Sequence, residues 1–199
     1  MKRRLKQSFS SLAASLLVSA GMTCVDATAG DDRAGIGAAE FNGKGELLQP
    51  EGFREWIFIG APLTPNGLNN GAAGFPEFHH VYVNPDAYAS YKRSGVFPDG
   101  TVIAKELLLL HKGDHQDGSK VSPSGRGYFA ETFNGLDVMV KDNKRFKSTN
   151  GWGFFNFGHK AEPYAASAPP ATAADCAGCH QGNAGEGMVF KEFYPLLGR

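Results

Sequence analysis

Near its C-terminus the chain carries Cys176-Ala177-Gly178-Cys179-His180, and this pentapeptide constrains the fold more than any other feature. Two cysteines two residues apart, followed at once by a histidine, suit a helical turn and form the attachment signature of a c-type haem. His180 is then the axial ligand on the near side of the iron. Only residues 181–199 follow the motif. The apolar wall that a macrocycle needs, and whatever faces the far side of the iron, must come mainly from the body before it. The competing reading is half of a zinc site, which would need a second Cys/His pair. His111 and His115 are the pair at ligand spacing, but they sit in "HKGDHQDGSKVSPSGRG" (111–127), which reads as a solvated polar loop.

The other end of the chain agrees with haem attachment after export. Lys2, Arg3, Arg4 and Lys6 precede a short apolar stretch, Ser11 to Met22, and Ala27-Thr28-Ala29 supplies small residues for cleavage. The apolar stretch is too short to span a bilayer comfortably, and residues 1–29 therefore read as a secretory signal. Gly21-Met22-Thr23 before Cys24 makes a poor lipobox, so Cys24 is expected to leave with the signal. The mature chain, 30–199, has the length of one domain. Without the signal, Lys+Arg falls from 20 to 16 and Asp+Glu from 20 to 19, a formal charge of −3. Nothing in that balance suggests nucleic acid or an anionic membrane, and no membrane span remains in the mature chain. Cys176 and Cys179 are its remaining cysteines, with no further pair for a disulfide. The expected compartment is the periplasm.

Between these ends the pattern is mostly that of strands. Residues 30–50 are Gly- and Asp-rich at first and read as a mobile start. "PEGFREWIFIGAPL" (50–63) begins as a helical turn and runs into a strand. "TPNGLNNGAAGFP" (64–76) is a loop. "EFHHVYV" (77–83) is a strand ended by Asn84-Pro85, and "PDAYASYKRSG" (85–95) is a short helix between Pro85 and Gly95. "TVIAKELLLL" (101–110), "YFAETF" (128–133), "LDVMVKD" (136–142) and "GWGFFNFGH" (151–159) are strands, with Asn134-Gly135 as a two-residue hairpin signal. "EPYAASAPPATAAD" (162–175) is a Pro/Ala linker. The class is β-rich α+β on an antiparallel sheet, with a few short helices and the haem motif at the C-terminal end.

Strand alternation picks out the titratable residues. Lys105 shares a face with Ile103 and Leu107, so it either snorkels at a rim or is held inside, and the pattern alone favours the rim. Asp137 shares a face with Met139 and Lys141, opposite Leu136 and Val138, and on pattern alone faces solvent. One of His79 and His80 must face inward, where it would pair with a haem propionate, line the distal pocket, or serve as a satisfied core histidine. Met188 lies too close to His180 to cross to the opposite side of the iron easily; Met139 is the other candidate for a sixth ligand.

Four stretches carry a resemblance beyond the pentapeptide. "AAEFNGKGELLQPEGFREWIFIGAPLTPN", "VYVNPDAYASYKRSGVFPDGTVIAKEL", "GRGYFAETFNGLDVMVKD" and "DCAGCHQGNAGEGMVFKEFYPLL" resemble the cytochrome P-460 family, related to the c-prime-beta cytochromes. The resemblance implies a mainly antiparallel β fold, a homodimer and a five-coordinate haem, covalently held at Cys176 and Cys179. It implies a further bond from Lys105 to the porphyrin edge, which reverses the rim reading of that lysine. It places a distal acidic residue, usually glutamate, at Asp137, one methylene shorter here. The implied activity is oxidation of hydroxylamine to nitrous or nitric oxide, with electrons passed to a redox partner protein. A c-prime-beta protein would instead bind nitric oxide behind an aromatic cap, without the lysine bond. A plain electron carrier would use Met139 or Met188 as sixth ligand.

Overall fold

A computed structural model describes residues 37–64, 77–114, 126–185 and 187–198. All of these belong to the unit spanning Arg33–Arg199. The expected signal, 1–29, most of the loop 64–76, and His115 with the rest of 115–125 lie outside the described residues.

In chain order the elements are β1 (Leu47–Leu48), β2 (Ile57–Gly60), β3 (Leu63–Thr64), β4 (Glu77–Val83), α1 (Pro85–Ser94), β5 (Val102–Asp114), β6 (Arg126–Lys141), β7 (Trp152–Asn156), β8 (Ser167–Ala168) and α2 (Gly178–Asn183). The main sheet is antiparallel in the order β2-β4-β5-β6-β7, with β3 also paired to β4. β1 and β8 form a separate two-stranded ribbon. The β-rich α+β class is therefore observed.

Local sequence explains most boundaries. Pro85 fits the first turn of α1, where its missing N–H costs nothing, and Gly95 ends it in the left-handed region at φ 73°. Asn84 does more than precede the helix. Its amide donates to the Gly100 carbonyl at 3.1 Å and accepts from the Val102 N–H at 2.9 Å, tying the start of α1 to the start of β5.

The sheet is apolar on both faces. Val81, Val83, Ile103, Trp152 and Phe154 pack on one face beneath α1 and the C-terminal segment. Val102, Ala104, Leu136, Val138, Val140, Phe155 and Phe157 pack on the other, with Leu47, Phe53, Trp56 and Ala168. Full burial of each large aliphatic or aromatic side chain contributes about 1.5–3 kcal/mol, which favours this two-faced sheet over one open to water. The buried Tyr91 hydroxyl of α1 donates to the Leu197 carbonyl at 3.0 Å, fastening the chain end to the front layer.

Three expectations fail here. The mobile start at 30–50 does not hold for its second part: Leu47 is fully buried and β1 pairs with β8. The polar loop 111–127 is strand at both ends, since β5 continues to Asp114 and β6 begins at Arg126. His111 thus lies in a strand, with Nδ1 3.8 Å from Glu131 Oε2. Most consequentially, Asn134-Gly135 is not a hairpin. β6 runs straight through it, and the register with β5 shifts between Leu107↔Gly135 and Leu108↔Phe133. Asn134 is the extra residue of a bulge. Tertiary contacts override the local turn signal. The Asn134 amide donates to Glu77, and a side chain at residue 135 would meet the Gly158 carbonyl and Leu107 at 3.0 Å.

Candidate functional site

Sheet register brings the functional side chains together. Lys105 on β5 pairs with Asp137 on β6, and Asp137 pairs with Asn156 on β7. Directly opposed residues point to the same side of an antiparallel sheet. The three therefore form one polar row, continued by Val81 on β4. The next row is apolar: Val83, Ile103, Met139 and Phe154. Apart from Val83, both rows line a cavity of about 240 Å³ that Cys176, His180, Val189 and Phe190 also line.

The polar row is bonded along its length. Lys105 Nζ lies 2.9 Å from Asp137 Oδ2, and the Asn156 amide donates to Asp137 Oδ1 at 2.6 Å. Lys105 and Asp137 are 34% and 33% exposed, so the pair is neither on the open surface nor sealed in the core. The solvent-facing reading of Asp137 does not hold, because the Leu136/Val138 side of β6 packs into the back core and turns Asp137 to the cavity, while Lys105 lies one-third exposed on the same wall.

The haem motif folds as a π-helical turn, Ala173–Ala177, that passes directly into α2. Cys176 reaches the cavity, while Cys179 is exposed. The His180 ring is held edge-on between Phe154, 4.8 Å away, and Phe190, 4.9 Å away. Its Nδ1 lies 2.8 Å from the Met188 carbonyl. A histidine that donates Nδ1–H to a carbonyl presents Nε2 as a ligand in a fixed orientation. Met188 reaches that position with a left-handed backbone, φ 64°, unusual for a non-glycine residue and costly by about 1 kcal/mol or more. Burial holds His180 below the usual histidine range, opposed by the Met188 carbonyl. Burial also raises the Cys176 thiol, with the Asp137 and Asp175 charges acting the same way.

His79 is the histidine of its pair that enters the cavity, with Nδ1 3.1 Å from Thr64 Oγ1. Burial, aided by the Lys105 charge, lowers its pKa to about 4, so it is neutral at pH 7. His80 lies on the other face, with Phe58 edge-on at 5.8 Å. Met139 lines the cavity, whereas Met188 is buried and binds His180 through its backbone. Tyr194 also lines the cavity, and burial pushes its phenol up to about 12.

The family model for cytochrome P-460 matches residues 50–191. The chain belongs to the cytochrome P-460 family. No curated protein matches it. Membership in this family implies a haem protein of oxidoreductase type. The residues present fit that group: an oriented imidazole, two adjacent thiols, and an apolar cavity with one polar row. Among the described residues, no cluster of three or more His, Cys, Asp or Glu side chains is placed to cage a bare metal ion. Nor is any described helix long and apolar enough to cross a membrane.

Sequence reasoning missed Asn156, Phe154 and Phe190. For Asn156 a signal was present: strand alternation puts it on the side of Trp152 and Phe154, and Asn156-Phe157-Gly158 has the spacing of an Asx turn. Phe190 carried no such signal, because its role comes from the fold of the C-terminal segment around His180.

Proposed function

We infer that this cytochrome P-460 family protein is an exported c-type haem oxidoreductase that oxidises hydroxylamine to nitrous or nitric oxide. The observation that carries the reading is the Lys105–Asp137–Asn156 row, set in the wall of the cavity that His180 lines. A nitric-oxide carrier has no need of an anchored carboxylate there; an enzyme that must remove protons from its substrate does.

In this reading Cys176 and Cys179 would hold a haem by thioether bonds, His180 would be the residue that ligates its iron, and Lys105 would bond to the macrocycle through Nζ. A haem held there would supply redox-active iron as the electron acceptor for hydroxylamine. The protein supplies the rest. Phe154, Phe190 and Ile103 exclude water, and the Met188 carbonyl fixes the His180 ring. Conversion of two hydroxylamines to nitrous oxide and water releases as many protons as electrons, so a proton acceptor beside the ligand is required. Asp137 is that acceptor, at Oδ2, and a positioned group of this kind contributes about 10²–10⁴ in rate. Electrons leave to a redox partner protein. The mature chain, 30–199, works as a periplasmic homodimer after removal of residues 1–29.

The test is made on purified protein. Its mass should include haem after denaturation and acid-acetone extraction, and extraction should succeed once Cys176 and Cys179 are replaced by Ala in the Lys105→Leu background. A red-shifted green chromophore that turns red in Lys105→Leu, with hydroxylamine turnover supported by an artificial oxidant, is the expected result. A red native protein that binds nitric oxide but does not oxidise hydroxylamine would establish the c-prime-beta reading. A low-spin native spectrum indifferent to added ligands would establish sixth-ligand coordination, with Met139 as the residue on the cavity wall.

A further inference from the structure

We propose that Asn156 is the positioning residue for the Asp137 carboxylate, locked in its donor orientation by the Gly158 N–H; this rests on the role of Asp137 given above.

Three observations converge. Asn156 is the directly opposed cross-strand partner of Asp137, and its Nδ2 donates to Oδ1 at 2.6 Å. The other end of the Asn156 amide is also engaged. Its Oδ1 accepts the Gly158 N–H at 3.0 Å. A backbone N–H can only donate, so it identifies the oxygen end of the amide, and the end offered to Asp137 must be the NH₂. Finally, Gly158 sits at φ 110°, a conformation that side chains rarely adopt, and its carbonyl accepts the Leu136 N–H at 3.3 Å, next to Asp137 in sequence. The turn after β7 and the strand bearing the carboxylate are thus held as one piece.

The two carboxylate oxygens have different supports. Oδ2 faces Lys105 Nζ, at the end of a long flexible side chain that the proposed function commits elsewhere. Oδ1 faces an amide on a short side chain, fixed at both ends. If Lys105 bonds to the macrocycle, Asn156 keeps Oδ1 in place and leaves Oδ2 to face substrate. An aspartate, one methylene shorter than the glutamate usual at this position in the resemblance, depends more on such an anchor because its reach is set by the strand rather than by rotamer choice.

The decisive variant is Asn156→Asp in the haem-loaded protein. Aspartate still accepts the Gly158 N–H, so the turn is preserved. It offers an acceptor instead of a donor and sets like charges across the strand pair, which is unfavourable. The expected kcat falls about tenfold or more, the scale of lost support behind a reactive site, with KM little changed. In an Asp137→Ala background the same substitution should change nothing further, the pattern that separates coupling from independent damage. Asn156→Ser, which can donate from a shorter reach, should recover part of the loss. A second readout needs no turnover: the infrared N–O stretching band of the nitric oxide adduct, single in the native protein, should broaden or split in Asn156→Asp as the carboxylate loses its fixed position. Undiminished kcat together with an unchanged N–O band would overturn the proposal, as would an equal kcat loss with and without Asp137. If Asp137→Ala itself leaves turnover intact, the proton-acceptor role falls, and the infrared band alone then decides whether Asn156 orients the carboxylate.

Discussion

Lys105 and Glu106 are neighbours in β5, yet the two faces of the sheet treat their charges in opposite ways. On the back face Glu106 is fully buried and saturated: Arg54 bonds both of its oxygens, one at 3.1 Å through Nε, and the Tyr164 hydroxyl donates at 2.9 Å. Arg54 also lies 4.2 Å from the centre of the Phe133 ring and bonds Glu162 at 2.7 Å. Its guanidinium is held above its usual range, chiefly by Glu106, and burial with Glu106 raises the Tyr164 phenol. On the front face the Lys105–Asp137 pair is one-third exposed and borders a cavity. A buried charge bonded at both oxygens is suited to holding structure, because removing one partner strands the others. A half-open charge pair contributes little to stability and stays available to a ligand. Under the proposed function, the difference separates support from chemistry within two consecutive residues.

Four measurements test that separation, in decreasing order of expected effect. Asp137→Ala should cut hydroxylamine turnover by about 10²–10⁴ while changing unfolding free energy by about 1 kcal/mol or less. A large loss of stability with unchanged turnover would invert the assignment. Glu106→Ala should do the reverse, costing about 3 kcal/mol by denaturant unfolding with turnover of the folded fraction preserved. The lower end of the range applies because Arg54 is 41% exposed and keeps Glu162.

The third measurement sharpens the front face. His79 has its folded pKa lowered from 6.5 to about 4, so the unfolded chain binds its proton first as pH falls. Its contribution to stability is complete above pH 6.5 and is lost between there and about 4, by about 2 kcal/mol once its partial exposure is allowed for. His79→Gln should flatten that part of the Tm-against-pH curve; an unaltered slope would show that His79 titrates normally. The smallest stability effect is expected for Lys105→Met, within about 1 kcal/mol of the native protein. Its visible spectrum should change all the same, and a loss comparable to Glu106→Ala would mean that both faces are structural.

What the sequence made legible was local. α1 could be bounded because Pro85 and Gly95 act through their own backbones, and β4 because Asn84-Pro85 ends it. Cys176, Cys179 and His180 were legible because the motif is contiguous. The orientations of Lys105 and Asp137 were not, since alternation defines two faces without saying which one meets the cavity; that required the register Lys105↔Asp137↔Asn156 and the burial of Leu136 and Val138 behind it. The Asn134-Gly135 misreading has the same origin. The dipeptide is a strong turn signal in isolation, but Glu77 is 57 residues away in sequence and takes the Asn134 amide. The Met188 carbonyl on His180 and the Phe190 ring beside it were hidden for a similar reason: a bend of the C-terminal segment returns them to the histidine.

The bulge at Asn134 also sets which insertions this chain can take without disturbing the cavity wall. Alternation along a strand is a count, and an extra residue resets its phase. On the near side of the slip, residues 101–107 and 135–141 are in step with β7, and the Lys105–Asp137–Asn156 row depends on that step. On the far side, a second register shift falls between Leu109 and Leu110. Each slip leaves one extra residue in β6, Asn134 and then Glu131, so the stretch between the slips is out of step with the cavity and the outer arm of the β5–β6 hairpin returns to its phase. A single insertion between Thr101 and Lys105 would turn the lysine to the opposite face, whereas a one-residue change beyond the first slip leaves the Lys105–Asp137–Asn156 pairing as it is. The hairpin is one continuous ribbon to the eye, but in register it is two segments, and the Lys105–Asp137–Asn156 row holds the inner one to an exact count.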